Sequence, residues 1–261
     1  MAALIKVEDL SLELPIYGIH SRSLKKTLAS MGTGSRLTRH AGNQIRVHAL
    51  NNISFTLRDG DRLALVGHNG AGKTTLLRVL AGVFEPTIGA VTVEGRTAPL
   101  FDVTLGMNLD ATGYENIQLR GLLLGLRPAE IAARVTEIAA FTELGDYLSL
   151  PVRTYSSGML LRLGFAVATV IQPDVLLMDE WIAAVDAGFM QKAERRIHDV
   201  VERSSIIVLA SHDLHLLCRM CNKMLILDRS SIRYFGSIDG AADLGFVKKT
   251  TASVGPMRGD Y

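Results

Sequence analysis

The sequence predicts an α/β fold with a largely parallel sheet, and three observations lead there. Apolar strand-like runs at residues 63–66, 175–178, 206–210 and 224–227 alternate with stretches of helical periodicity, and strands separated by helices pair in parallel. The first run leads into Gly67-x-x-x-x-Gly72-Lys73-Thr74 and then into an apolar helix candidate beginning at Thr74. That is the phosphate-loop pattern in its strand–turn–helix setting. Between this loop and the second run, residues from about 112 to 172 carry repeated leucines and alanines in a helical pattern, which reads as an inserted helical subdomain.

Taken in order, residues 3–14 alternate loosely between apolar and polar side chains (Leu4, Lys6, Val7, Asp9, Leu10, Leu12, Leu14), as a strand would, and Pro15 ends the run. Residues 14–58 contain no Asp or Glu, yet Arg22, Lys25, Lys26, Arg36, Arg39, Arg46 and Arg58 all lie there. Leu24, Leu28 and Met31 have helical spacing, so residues 21–31 form a candidate basic amphipathic helix, with Gly32, Gly34 and Gly42 marking loop around it. A basic insertion at about residues 18–45 follows from this; a solvated, mobile segment and a membrane- or partner-facing surface are both open readings of it. Strand candidates resume at 45–49 and 53–58, and Asp59-Gly60 reads as a hairpin turn leading into the phosphate loop's strand. The helix after the loop runs to Gly82, a turn follows at Glu85-Pro86-Thr87 and Gly89, and residues 90–94 read as a strand. Residues 1–246 form the expected domain; 247–261 is a polar, glycine-containing tail expected to be mobile.

Composition narrows the class. Of 261 residues 48% are apolar and 6% aromatic, which suits an Ala/Leu/Val-rich α/β protein. A net charge of +2 does not point to nucleic acid. No apolar run approaches the ~18–20 residues that span a bilayer; residues 160–178 are broken by Arg162, Gln172, Pro173 and Asp174. The N-terminus lacks a signal-peptide pattern. The expectation is a soluble or membrane-peripheral chain that stays in the compartment where it is made. Cys218 and Cys221 form a lone C-x-x-C without a second pair to complete a zinc site; two reduced core thiols outweigh a thioredoxin-like motif, and no function is assigned to them.

The chemistry begins at the loop. Its glycines let the backbone curl so that successive N–H groups face one anion, and the helix behind adds its positive dipole end. Lys73 would reach the β- and γ-phosphates and the Thr74 hydroxyl would hold Mg²⁺. Gly67, His68, Asn69, Gly70, Ala71, Gly72, Lys73, Thr74 and Thr75 are the predicted triphosphate-binding residues. The apolar run 175–178 ends in Asp179-Glu180. Asp179 is placed to bind Mg²⁺ beside Thr74, and Glu180 to orient the water that attacks the γ-phosphate. Tyr155-Ser156-Ser157-Gly158-Met159 stands before a helix candidate, where hydroxyls and free N–H groups make either a simple cap or a second anion site. His212, just past the strand candidate 206–210, could hydrogen-bond a terminal phosphate or be incidental.

In this order, the phosphate loop, serine–glycine segment, Asp-Glu strand end and strand-end histidine resemble the nucleotide-binding subunits of ABC transporters, over about residues 3–240. The resemblance implies a P-loop NTPase with a RecA-like core, an antiparallel β-subdomain and an inserted helical subdomain at about residues 103–172. It implies a head-to-tail homodimer in which Ser156, Ser157 and Gly158 contact the ATP of the second copy. It implies Glu180 as general base, His212 as the γ-phosphate switch, and Asp186, in Ala183-Ala184-Val185-Asp186, in the loop linking the two sites. Tyr17 would stack on adenine, with an ordinary strand-end tyrosine as the alternative. Two departures mark a subgroup. Tyr155-Ser156-Ser157-Gly158-Met159 replaces the common Leu-Ser-Gly-Gly-Gln, and Asp102, in Leu100-Phe101-Asp102, stands where the family's Mg²⁺-linked coupling glutamine falls. With Gly67-His68-Asn69-Gly70 and Thr112-Gly113-Tyr114-Glu115-Asn116-Ile117, these features are similar to the ATPases of polysaccharide exporters. The expected activity is Mg²⁺-dependent ATP hydrolysis driving export of a lipid-linked polysaccharide through a separate membrane permease, at the cytoplasmic face of the inner membrane. A small-molecule exporter ATPase and a soluble non-transport ABC protein are the alternatives.

Overall fold

In the computed structural model the described residues are 2–16, 37–39, 45–101, 104, 106–179 and 187–243. Strands β1 (Leu4–Ile16), β2 (Leu37–Arg39), β3 (Ile45–Arg58) and β4 (Arg62–Val66) precede helix α1 (Lys73–Leu80). Strands β5 (Ile88–Glu94) and β6 (Thr97–Pro99) lead to helices α2 (Gly113–Leu123) and α3 (Pro128–Thr142), two 3₁₀ turns (Gly145–Ser149, Val152–Thr154) and α4 (Ser157–Thr169). The remainder runs β7 (Val175–Asp179), α5 (Ala187–Arg203), β8 (Ile206–Ala210), α6 (Leu214–Met220), β9 (Lys223–Asp228), β10 (Ser231–Ser237) and α7 (Ile238–Asp243).

Two sheets result, in the orders β10-β9-β4-β8-β7-β6 and β2-β3-β1-β5. In the first, β9, β4, β8, β7 and β6 pair in parallel and β10 joins antiparallel. Its inner strands are apolar between their ends because both faces are covered. Leu63 and Leu65, Val175 and Leu177, and Ile206 and Val208 enter one core, together with Leu76, Leu77, Val79 and Leu80 of α1. Ala64, Leu176, Met178, Ile207 and Leu209 enter a second core against α4, α5 and α6. The antiparallel sheet covers the far side of α1 with Ile5, Leu10, Leu12, Leu50, Ile53 and Leu57. Each fully buried Leu or Ile contributes about 1.5–3 kcal/mol of burial, so α1 and the loop before it are clamped between two sheets.

Three sequence expectations change. Residues 45–49 and 53–58 are not separate strands: β3 continues through Asn52, which bends at φ 50 while its N–H donates to Ser11 Oγ. Nor does Pro15 end the first strand, because Pro15 and Ile16 still pair with Arg46 and Ile45. Asp59-Gly60 turns the chain but closes no hairpin. β3 pairs with β1 and β2, while β4 pairs with β8 and β9, so the turn carries the chain from one sheet to the other.

The helices between residues 113 and 169 share a core of their own, built on Ile117, Ile131, Ile138, Leu148, Val152 and Leu163. Buried Asn116 ties its entrance. Its amide donates to the carbonyls of Asn108 and Thr112 at 2.9 Å each, and its oxygen accepts from Asn108 N–H at 2.8 Å. Thr112 caps α2 by accepting from Glu115 N–H, and Glu115 accepts from Thr112 N–H in return, which holds the Glu115 carboxyl below its ordinary range. The basic insertion's candidate helix at 21–31 and the tail 247–261 lie outside the described residues, as do Tyr17, Asp102, Glu180 and Asp186.

Candidate nucleotide-binding site

β4 delivers the loop at its carboxyl end, between β8 and β9, where open parallel sheets bind ligands. Two glycines are demanded by what surrounds them. A Cβ on Gly67 would stand 2.6 Å from Leu227 O and 2.9 Å from Ala71 Cβ. Gly72 has φ 110, and a Cβ there would stand 2.9 Å from Ala49 O. Gly72 also caps α1 with no side-chain acceptor, and the first turn of α1 holds no acidic residue. The helix therefore opens with its N–H groups and positive dipole end available to an anion. Lys73 is nearly buried, and its ammonium folds back on the loop, donating to Gly67 O at 2.8 Å and His68 O at 3.5 Å. His68 ties the loop outward, with Nε2 3.4 Å from Asp228 Oδ1 at the end of β9.

Asp179 ends β7, in register with Ala210 of β8. This brings it to α1, where the Thr74 hydroxyl donates to Asp179 Oδ2 at 2.5 Å. His212 follows β8 by two residues and reaches the same place. A cavity of about 680 Å³ is lined by Asn69, Gly70, Gly72, Lys73, Thr74, Thr75, Asp179 and His212. Most of the predicted phosphate-end residues therefore share one cavity. Thr74 and Asp179 present adjacent hard oxygen donors, a set that suits Mg²⁺, which takes few protein ligands and keeps water or phosphate oxygens on the rest.

Five lining positions fall outside the sequence expectations. Leu14, Val47, His48, Ala49 and Ser230 also line the cavity, so the end of β1, the start of β3 and the β9–β10 turn wall it beside the phosphate loop, where Ala49 O lies against Gly72. Leu14 and Val47 are cross-strand partners. Buried Ser230 braces this wall: its hydroxyl donates to His48 O at 3.0 Å and its carbonyl accepts from Asn51 N–H at 2.8 Å. The only sequence signal for these positions was that they lie near the ends of strand patterns.

The serine–glycine segment stands apart. Ser156 caps α4, its hydroxyl accepting from Met159 N–H at 3.2 Å, and Ser156 and Ser157 are exposed. None of Ser156, Ser157 and Gly158 lines the cavity. Gly158 differs from the loop glycines, since a Cβ there would meet only Ser156 Oγ, at 3.9 Å. Behind them, buried Tyr155 donates to Tyr147 O at 2.6 Å and anchors the segment. The cysteines are reduced; Cys221 lies just past α6 in the second core, where burial pushes its thiol up to about 12. This is an inert packing thiol.

With this geometry in place, the comparisons with known proteins are decisive. The ABC transporter family profile matches residues 50–183, from β3 past the Asp179 strand end. The chain belongs to the ABC transporter family. This ABC protein is 46% identical, over 89% of its length and 97% of the relative's, to the O-antigen export system ATP-binding protein RfbE of Yersinia enterocolitica. It is 40% identical to RfbB, an O-antigen export system ATP-binding protein of Klebsiella pneumoniae, over 75% of its own chain and 80% of that one. Among solved structures, a dimeric ATP-binding cassette in a post-hydrolysis state with ADP and phosphate matches with a TM-score of 0.62 at 17% identity, covering 90% of this chain and 98% of that one. The expected fold class is thus the observed one: an ABC ATPase with a P-loop core. No helix among the described residues of this ABC ATPase is long and apolar enough to cross a membrane.

Proposed function

We propose that this ABC ATPase powers export of a lipid-linked polysaccharide through a separate membrane permease, working as a head-to-tail homodimer at the cytoplasmic face of the inner membrane. The observation that carries the reading is its likeness to an O-antigen export ATP-binding protein over nearly both whole chains. The phosphate cradle and its Thr74–Asp179 oxygen pair supply the chemistry that such a subunit needs. Residues 1–246 act as the ATPase domain, with residues from about 103 to 172 as its helical subdomain and about 18–45 as a basic insertion.

ATP enters with its phosphates on the loop. The α1 N–H groups and Lys73 bind the β- and γ-phosphates, drawing negative charge away from the reacting phosphorus. Thr74 and Asp179 would hold Mg²⁺, which when bound would neutralise phosphate charge; Asp102, in the place of the family's coupling glutamine, is a further candidate ligand. Glu180 follows Asp179 in sequence and takes the proton from the attacking water. His212 hydrogen-bonds the γ-phosphate and senses its presence. Tyr17 stacks on the base. Ser156, Ser157 and Gly158 close over the ATP of the second copy, and Asp186 links the two sites. Gly158 is compatible with that arrangement: its own chain leaves room for a Cβ, so nothing within the protomer requires glycine there.

Two measurements test this. Glu180→Gln should retain ATP binding, accumulate a dimer and lose hydrolysis by about a hundredfold or more; near-parental turnover removes Glu180 from the base role. In proteoliposomes holding the permease, lipid-linked polysaccharide should stimulate hydrolysis. Stimulation by a small amphiphile, and none by the glycan, would favour a small-molecule exporter instead.

A further inference from the structure

The segment Ser156–Gly158 sits at one end of α4, yet nothing in the phosphate cavity holds that helix in place. Besides the apolar packing of Leu163, Phe165, Ala166, Val167 and Ala168 into two cores, a cluster of charged and aromatic side chains near its middle ties it to its neighbours. Arg162 lies six positions after the cap. Its guanidinium carbon stands 5.0 Å over the ring of Phe189, in the first turn of α5, and its Nη1 lies 3.6 Å from Glu143 Oε2. Glu143 stands just past the end of α3 at φ 58, and its other oxygen pairs with Lys192 of α5 at 2.7 Å. Lys192 also donates to Phe141 O at 3.1 Å. Phe189 is fully buried and meets Phe141 edge-on, with ring centres 5.4 Å apart. One arginine on α4 thus touches both the end of α3 and the start of α5, the helix that follows residues 180–186.

We propose that Arg162 is a positioning residue for cross-protomer catalysis: its seat on Phe189 and its ion pair with Glu143 set the placement of the Ser156–Gly158 end of α4 relative to the nucleotide core. The proposal rests on the reading that Ser156–Gly158 complete the ATP site of a second copy. Physical chemistry favours a positioning over a stabilising role. The Arg162 side chain is 21% exposed and that of Glu143 53%, so the ion pair contributes little to folding. The flat guanidinium over a buried aromatic face, by contrast, fixes direction, and a lysine ammonium does not reproduce it. A few tenths of an ångström of drift at α4 is harmless within one chain. It is not harmless for a segment that must meet a phosphate across an interface, where misplacement by about 1 Å costs on the order of a hundredfold in rate.

The experiment places Arg162→Ala and Arg162→Lys in the full-length Glu180→Gln protein. ATP-dependent dimerisation is followed by sedimentation against protein concentration, ATP affinity by titration at a protein concentration too low for pairing, and folding by the melting temperature. The expected result is that Arg162→Ala needs about tenfold more protein to pair, Arg162→Lys an intermediate amount, and that both keep the parental ATP affinity and melting temperature. Pairing of Arg162→Ala at the parental concentration overturns the role of Arg162 alone. A parallel loss of melting temperature and ATP affinity also overturns it, by showing a general packing role. If the Glu180→Gln parent does not pair with ATP at all, the cross-protomer reading fails and the proposal fails with it.

Discussion

The phosphate loop and the Ser156–Gly158 segment both put glycine and hydroxyl groups at the start of a helix, yet they are held in opposite ways. The loop is dictated from within. Gly67 is forced by the carbonyl of Leu227, Gly72 by its left-handed backbone and Ala49, and Lys73 is tied to the loop's own carbonyls. Ser156–Gly158 is capped but otherwise open, and Gly158 has space for a side chain. At Gly67 and Gly72 the surrounding chain requires glycine; at Gly158 nothing within the chain does.

Four substitutions break or sharpen that contrast. Gly67→Ala should have the largest effect, because the new Cβ meets backbone and cannot be accommodated by a rotamer change. It should destabilise the fold by about 1–3 kcal/mol and cut hydrolysis on the order of a hundredfold, read by urea unfolding and phosphate release. Asn116→Ala comes next. It strands the N–H of Asn108 at the entrance to the helical block, while the carbonyls of Asn108 and Thr112 keep the N–H groups of Ala111 and Asn116, for a loss of about 1–3 kcal/mol in unfolding free energy. ATP affinity should stay near parental, since none of these groups lines the cavity.

Gly158→Ala should give opposite signs for folding and activity. Replacing a helical glycine by alanine where space exists stabilises by up to about 1 kcal/mol, while ATP turnover falls about tenfold as pairing is obstructed. Reduced stability with intact turnover would erase the distinction between the two glycine classes. Glu130→Gln should have the smallest effect. A hydrogen bond from the Arg127 side chain, with further help from Arg127 N–H, holds the half-buried Glu130 carboxyl down at about 2 against an ordinary 4.5. A depressed carboxylate stabilises fully above its unfolded value, and the contribution is lost as pH falls through the folded one. Parent stability should therefore fall more steeply than that of Glu130→Gln between pH 4.5 and 2, as followed by circular dichroism.

Much of the fold and site was legible where chemistry is local. Gly67 to Thr74 could be read because a phosphate cradle needs glycine conformations at fixed spacing. Asp179 and His212 could be read as strand-end residues because buried parallel strands are short, continuous apolar runs. The misreadings fall where pairing is remote. Asn51-Asn52 looks like a break, yet β3 bends there and continues because Ser11 of β1 receives the Asn52 N–H. Asp59-Gly60 looks like a hairpin turn, because nothing local announces that its two strands join different sheets. Leu14 and Val47 gave no functional signal at all, being aliphatic residues that become cavity wall only because the antiparallel sheet packs beside the loop.

The sequence by itself determined the nucleotide chemistry, the helix starts and the apolar strands, since backbone sterics, capping and side-chain periodicity act over a few residues. Only the tertiary structure decided that the antiparallel sheet walls the cavity beside the phosphate loop and that Arg162 bridges α3 to α5. Those contacts depend on which strands pair and which helix faces meet, and such pairings are settled by burying both faces of the sheet at once. No short stretch of chain carries that information.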